Sequence, residues 1–352
     1  MQQNEVLADL GIPANINNIM NIIIPMAGMG KRLRPHTLTT PKPLLPIAGK
    51  PIVERLINEL IRNFGEKINE IGFIIGDFGK VVEKQLLNLA ESFNAKGKIF
   101  YQHEALGTAH AIYCAEPILK GNVIVAFADT IFYGNIKIDK DCDAIILVKE
   151  VDDPSSFGVV KTDKSNFITD FIEKPKTSIS NKAIIGIYYF NEGEYLKNEI
   201  KYLLDNNIKG NNEYQLTDAL ENLRLAKYKF KPGVIDEWLD CGNKDATVYT
   251  NSRVLEKNRN EFLKNRNCNV INSKIIEPCY LGNNVIIENS TIGPYVSIED
   301  NTTIKMSEIS DTIIYSNSYI NNFDLKNSII GNYVSIDNKN HELSIGDYSV
   351  IK

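Results

Sequence analysis

The chain has 352 residues, enough for one large domain and a second, and its formal net charge of −5 excludes a general nucleic-acid or anionic-membrane surface. Its five cysteines, Cys114, Cys142, Cys241, Cys268 and Cys279, show no C-x-x-C spacing. Neither a structural zinc site nor a disulfide framework is indicated, and a reducing cytoplasm is the expected compartment. No run approaches the roughly 18 to 20 apolar residues of a membrane span.

Residues 1–19 lack the basic start and apolar run of a signal peptide and read as an N-terminal extension. Residues 20–251 form the first expected domain. From Met20 to Ala128, short apolar runs alternate with helical patterns, the rhythm of βα units. Strands are expected at Ile22–Pro25, Ile71–Ile75, Ile99–Gln102 and Val123–Ala128. Apolar residues at three- and four-residue steps predict helices over Ile52–Phe64, Val81–Phe93 and Thr108–Ala115. The expected fold class is therefore α/β, a doubly wound, mainly parallel sheet of Rossmann-like type, in which ligands collect just beyond the strand ends.

The first strand runs directly into Ala27-Gly28-Met29-Gly30-Lys31-Arg32. Glycines let the backbone turn tightly and approach a ligand, and free N–H groups with Lys31, Arg32 and Arg34 favour a bound phosphate. Lys42 then stands between Pro41 and Pro43, which stiffen the segment that carries it. A lysine so held beside a phosphate site suggests phosphoryl or nucleotidyl chemistry. Neither G-x-x-x-x-G-K-[ST] nor a complete G-x-G-x-x-G is present.

Further along, Gln102 to Ala111 spans a strand end and a helix start, with Thr108 near the cap. His103 and His110 read as surface or structural residues. Asp129 ends the strand Val123–Ala128, where a carboxylate suits a hard cation such as Mg²⁺. A second carboxylate, Asp240, follows Trp238-Leu239. Between them, Phe157–Val160 and Ile184–Phe190 read as strands opened by Gly158 and Gly186. Glu173-Lys174 ends another, and an acid beside a base matches the hydroxyls and phosphate of a sugar phosphate.

A polar helical link follows at roughly Asp245–Asn267, with residues 252–267 outside both domains. Over 268–352 one pattern recurs, at Leu281–Ile287, Ile292–Ile298, Ile330–Ile336 and Ile345–Ile351. An aliphatic residue at every sixth position, followed by glycine, is the hexapeptide signature of a left-handed parallel β-helix. The stretch around Ser307–Asp324 departs from it and predicts a loop or a distorted coil. The end strands and flat faces of such a solenoid invite self-association, so a homo-oligomer is expected.

The whole pattern G-x-G-x-R-L-x-P followed by P-K-P-L-L-P-I-x-G-K-P resembles the signature of the sugar-1-phosphate nucleotidylyltransferases, and the resemblance extends from about Met20 to Asn251. It implies transfer of a nucleotidyl group from a nucleoside triphosphate to a sugar 1-phosphate, with release of pyrophosphate. By resemblance, Ala27 to Arg32 hold the triphosphate, and Gln102 and Gly107, with Thr108 beside them, read the base. Gly158, Glu173, Lys174 and Gly186 bind the sugar phosphate. Lys42 and Arg32 act on the phosphates, Asp129 and Asp240 hold one Mg²⁺, and Asp218, in the matching Glu213–Asp218 segment, supports the site. The wording Asp129-Thr130-Ile131-Phe132-Tyr133-Gly134 is similar to glucose-1-phosphate thymidylyltransferases. The opening Ile24–Gly30 is similar to bacterial UTP-glucose-1-phosphate uridylyltransferases, and Lys31 replaces the usual small hydroxyl residue. dTTP or UTP and glucose 1-phosphate are thus the favoured substrates. A mannose-1-phosphate guanylyltransferase and a non-catalytic subunit of the same fold are the alternatives. An acyltransferase activity in the β-helix would need a base there, and the only histidine of that segment is His341.

Overall fold

The computed structural model describes residues 19–338, apart from 66, 140, 176, 178 and 263–266. It divides into two compact units. Of the described residues, the first comprises those through Lys31 together with Thr37–Leu44 and Ile52–Asp240, and the second comprises Arg32–His36, Leu45–Pro51 and those from Cys241 onward. Among the described residues no helix is long and apolar enough to cross a membrane.

The first unit is built on β1 (Ile19–Pro25), a run of isoleucines buried on both sides. Two short strands, β2 (Pro46–Ile47) and β3 (Lys50–Pro51), form a hairpin in the second unit. The first unit then continues through β4 (Lys67–Ile75), β5 (Lys96–Tyr101), β6 (Asn122–Ala126), β7 (Thr130–Tyr133) and β8 (Ala144–Glu150). It ends with β9 (Val159–Thr162), β10 (Ile168–Ile172), β11 (Lys182–Phe190), β12 (Phe230–Val234) and β13 (Glu237–Asp240).

Nine of these strands make one sheet, in the order β10-β9-β11-β6-β1-β4-β5, with β8 paired to β11 and β12. Pairing is parallel through β6-β1-β4-β5 and between β8 and β12, and antiparallel around β11. Strand side chains alternate in direction, so Ile22 and Ile24 join one core while Ile23 joins the other. The helices Ile52–Phe64 and Gly79–Ser92 cover the first face. Thr108–Tyr113, Gly193–Asp205 and Leu216–Leu225 cover the second. This is the doubly wound sheet expected from the sequence, and the helix over Ile52–Phe64 has the expected bounds. From β1 the chain crosses to β4 on one side and returns to β6 on the other. The topological switch point therefore lies at the carboxyl end of β1, where such sheets bind ligands.

In the second unit the segment expected to be a polar helical link contains the helix Lys244–Lys257, which buries Thr247, Val248, Thr250, Asn251, Val254 and Leu255. The parallel β-helix follows, in keeping with the left-handed solenoid expected. One face stacks β14 (Cys268–Ile271), β17 (Val285–Glu288), β20 (Thr303–Lys305), β22 (Tyr319–Asn321) and β24 (Ser335–Asp337). The other faces are formed by β15 (Lys274–Ile275), β16 (Cys279–Leu281), β18 (Thr291–Ile292), β19 (Val296–Ile298), β21 (Glu308–Ile314) and β23 (Leu325–Ile330).

Successive coils advance by 17 residues, as in Ile286↔Thr303, and then by 16, as in Thr303↔Tyr319. The stretch 307–324, expected to be a loop or a distorted coil, is a coil shortened to a 16-residue advance. Its shorter repeat hid it from a six-residue template: β21 runs through a corner at Asp311 instead of breaking there. Corners in the left-handed backbone region are occupied by Asn284, Asn301 and Asn317, whose amides form a ladder of 3.1 and 3.3 Å. Asparagine tolerates that conformation better than most residues. The repeat at Ile345–Ile351 and His341 lie outside the described residues.

Ile287 is fully buried in the coil, whereas its neighbour Ile286 points outward and is half-buried. In urea denaturation Ile287→Ala is expected to cost about 2–5 kcal/mol, and Ile286→Ala about 1 kcal/mol or less. Equal losses would contradict the inward–outward alternation.

Candidate active site

At the switch point a cavity of about 310 Å³ opens in the first unit. Its lining joins the turn after β1 (Ala27, Gly28, Gly30), the strap carrying Lys42, and the segment after β5 (Gln102, Ala105, Gly107, Thr108). Phe127, Ala128 and Asp129, following β6, and Glu213 complete it. Chain segments far apart in sequence thus converge where parallel strands end.

The glycine turn is tightly supported from one side. Thr37 Oγ1 donates to Gly30 O at 2.8 Å, and a side chain at Gly30 would press on Thr37 and on Cβ of Lys42, 3.0 and 3.1 Å away. Gly28 is exposed, and a Cβ there would meet nothing within 4 Å. Its bare backbone is the surface a phosphate can approach. Lys42 Nζ makes an ion pair with Asp129 Oδ2 at 2.8 Å, the lysine side chain only 13% exposed and the carboxylate 40%. The proline-flanked strap thus delivers its ammonium to the carboxyl end of β6.

The second expected aspartate arrives through a separate ribbon. β13 pairs antiparallel with β7, and Asp240 lies opposite Thr130, the residue after Asp129. Among the described residues no three His, Cys, Asp or Glu groups gather as a protein-enclosed metal site would need. Mg²⁺, however, commonly takes one or two carboxylates and completes its shell with substrate phosphates and water. Two hard carboxylates at adjoining strand ends fit that donor set.

The segment after β5 is stitched to the start of the helix Leu216–Leu225. Tyr214 N donates to Leu106 O at 2.8 Å, Ala109 N to Tyr214 O at 2.9 Å, and Leu216 N to Thr108 Oγ1 at 2.9 Å. Gly107 lies between these bonds with φ +119°, and a Cβ there would come within 2.5 Å of Tyr214 O. Only glycine fits. Gln102 Nε2 donates to Gly107 O at 3.2 Å and faces His110 Nδ1 at 3.2 Å. Burial holds the His110 pKa below the ordinary histidine value, with Glu104 opposing.

A second cluster gathers the expected sugar-phosphate residues. Thr217 Oγ1 donates to Glu173 Oε2 at 3.1 Å, and Glu173 Oε1 lies 3.8 Å from Lys174 Nζ. A Cβ on Gly158 would stand 3.2 Å from Glu173 Oε2 and 3.3 Å from Thr217 Cγ2. Gly186, at the irregularity in the β11–β8 pairing, accepts from Phe127 N at 2.9 Å and so borders a residue of the cavity wall. Asp218 is half-buried, and desolvation raises its pKa.

Of the residues expected to bind nucleotide, the cavity brings together Ala27, Gly28, Gly30, Gln102, Gly107 and Thr108. Met29 and Lys31 are exposed and outside its lining. Arg32 is exposed in the turn Lys31–Leu33 and clusters with the second unit. Sequence reasoning did not assign Glu213 to the cavity wall, nor anticipate the contacts of His110 and Trp238. The indole Nε1 of Trp238 is buried with no hydrogen-bond partner among the described residues, and its ring meets Phe157 edge-on at 4.8 Å. A two-residue step from Asp240 along one strand was the available signal for Trp238. His110 carried none, because only the folded helix turns it toward Gln102.

A switch-point cavity with a glycine turn, a braced lysine and paired strand-end carboxylates defines a nucleotide-handling α/β protein. The sequence matches the nucleotidyl transferase family over residues 21–257, and the chain belongs to that family. It is 35% identical over 242 residues to "Bifunctional protein GlmU" of Methanococcus maripaludis, covering 68% of this chain and 55% of that protein. It is 31% identical over 246 residues to the "Low-salt glycan biosynthesis nucleotidyltransferase Agl11" of Haloferax volcanii, covering 67% and 66%. The chain thus spans about half the length of the GlmU proteins it matches. A solved UDP-glucose pyrophosphorylase complexed with UDP-glucose shares the fold, with TM-score 0.56 and 23% identity, over 68% of this chain and 99% of that one.

The two glycines separate ligand approach from folding. Gly28→Ala is expected to leave the melting temperature unchanged while weakening nucleotide binding in calorimetry. Gly107→Ala is expected to lower stability by about 1–3 kcal/mol, through its forced positive φ and the clash with Tyr214. A Gly107→Ala protein as stable as wild type would contradict the packing described.

Proposed function

We propose that the protein transfers a nucleotidyl group from a nucleoside triphosphate to a sugar 1-phosphate, with dTTP or UTP and glucose 1-phosphate as the favoured pair. The observation that carries this reading is the Lys42–Asp129 ion pair at 2.8 Å beside the glycine turn. It keeps a cation and a metal-competent carboxylate together before substrate arrives.

In the proposed reaction an oxygen of the sugar phosphate attacks the α-phosphorus of the triphosphate. The new P–O bond forms as the bond to the β-phosphate oxygen breaks, and pyrophosphate leaves with that electron pair. No proton transfer by the protein is required. Catalysis rests on alignment and neutralisation of charge. Backbone N–H groups of the glycine turn, with Lys31, are assigned to the β- and γ-phosphates. Lys42 exchanges its contact with Asp129 for the oxygens of the α-phosphate and the incoming phosphate. Asp129 and Asp240 would hold Mg²⁺, which would supply polarisation of the α-phosphate. Glu173 accepts from sugar hydroxyls, and Lys174 meets the sugar phosphate.

The family match and the nucleotidyltransferase relative support the reaction class without fixing the substrates. One further relative, 33% identical over 200 residues, is the "Mannose-1-phosphate guanylyltransferase catalytic subunit beta" of Drosophila melanogaster. The deciding experiment is therefore pyrophosphate release with Mg²⁺ across dTTP, UTP, GTP, CTP and ATP, each paired with glucose, galactose, mannose and N-acetylglucosamine 1-phosphates. Release is expected with dTTP or UTP and glucose 1-phosphate. Lys42→Ala is expected to lower kcat by about 10²–10³-fold, comparable to losing one transition-state charge contact. Unchanged turnover in that variant would sink the mechanism.

A further inference from the structure

The base-reading segment contains a side chain outside the cavity lining that fixes what the lining presents. Gln102 Nε2 has two hydrogens, and they face Gly107 O and His110 Nδ1, each at 3.2 Å. A carbonyl oxygen only accepts, so the nitrogen end of the amide must lie on that side. The second hydrogen then requires an unprotonated Nδ1 on His110, as in the neutral ring with its proton on Nε2. Both donors of Gln102 are thereby occupied. Its Oε1 has no partner among the described residues, and Gln102 lines the cavity. Gly107 N–H, on the same wall, is likewise without a partner among the described residues.

We propose that His110 is a positioning residue that pins the Gln102 amide with its oxygen toward the ligand, so that the pocket selects bases carrying a ring N–H beside a carbonyl. The inference rests on the reading of Gln102 as the residue that meets the base. Uracil and thymine offer an N3–H flanked by carbonyls, and guanine offers N1–H beside O6. Each can give its N–H to Gln102 Oε1 and receive Gly107 N–H at the neighbouring carbonyl. Cytosine and adenine place an unprotonated ring nitrogen at the corresponding position, and a fixed acceptor meets it with repulsion. Without His110 one amide hydrogen loses its partner, and the only restraint left on the amide is Gly107 O. Turning it over becomes easier, and discrimination falls.

The test is calorimetric binding of UTP, dTTP, GTP, CTP and ATP, each with Mg²⁺, to the full chain and to three variants, with melting temperatures as a control. Wild type is expected to bind at least one of UTP, dTTP and GTP about tenfold more tightly than CTP and ATP. His110→Ala is expected to cut that preference about three- to tenfold, the worth of one neutral hydrogen bond. His110→Asn, whose amide oxygen can replace Nδ1 as acceptor, is expected to restore it. Gln102→Leu tests the underlying reading: if it leaves binding unchanged, Gln102 does not meet the base and both readings fall. If Gln102→Leu weakens binding while His110→Ala keeps the wild-type preference, the role of His110 alone is overturned. Equal losses in His110→Ala and His110→Asn would also overturn it, by showing that ring packing and not the acceptor matters. A wild-type protein with no preference against CTP and ATP would do the same.

Discussion

Parallel pairing of β1 with β4 on one side and β6 on the other is the constraint on which the site depends. Parallel strands end at the same edge of a sheet, so the turn after β1 and the aspartate after β6 are neighbours. Burial enforces this register. A one-residue slip of β1 would exchange Ile22 and Ile24 with Ile23 between two filled cores, each of which accepts a side chain of fixed volume. The same pairing that buries the isoleucines therefore sets where Asp129 stands against Lys42.

Around that edge, the site is assembled by short hydrogen-bonded seams and not by one continuous element. The seam between residues 106–109 and 214–216 holds the wall that carries Gly107 and Thr108, and the β13–β7 ribbon sets Asp240 opposite Thr130. The second unit has its own closely fitted contacts. Gly49 N donates to the buried Glu299 at 3.1 Å, and a Cβ at Gly49 would overlap the ring of Tyr280. His36 meets the buried ring of Tyr315 edge-on. The run from Gly28 to Pro51 is thus not one structural piece: Thr37–Leu44 packs within the first unit, while Arg32–His36 and Leu45–Pro51 pack within the second.

Much of this was legible in the sequence because strong periodicity survives folding. Isoleucine runs gave the strands, three- and four-residue steps gave the helix Ile52–Phe64, and the aliphatic-glycine repeat gave the solenoid. The stretch 307–324 left a loop or a distorted coil open because its spacing of 16 residues obscures a hexapeptide count, although its inward isoleucines at 309, 314 and 320 pack like the rest. The helix Lys244–Lys257 looked like a polar link because threonine and asparagine supply much of its buried face. Asn251, for example, accepts from Ser297 Oγ at 2.7 Å. Polar residues that find partners inside cannot be told from solvated ones by composition.

The sequence by itself determined the alternation of strands and helices, the glycine turn, the proline-braced lysine and the two aspartates, because these follow from local backbone limits and side-chain chemistry. Only the tertiary structure decided which of them meet. The 2.8 Å contact of Lys42 with Asp129 spans 87 positions, and the approach of Asp240 to Thr130 depends on a strand pairing that no local pattern encodes. The seating of Gln102 against His110 likewise depends on how a strand end and a helix turn are held together. Such contacts are fixed by burial and hydrogen bonding summed over the whole sheet, which is why the residues could be named in advance and their partners could not.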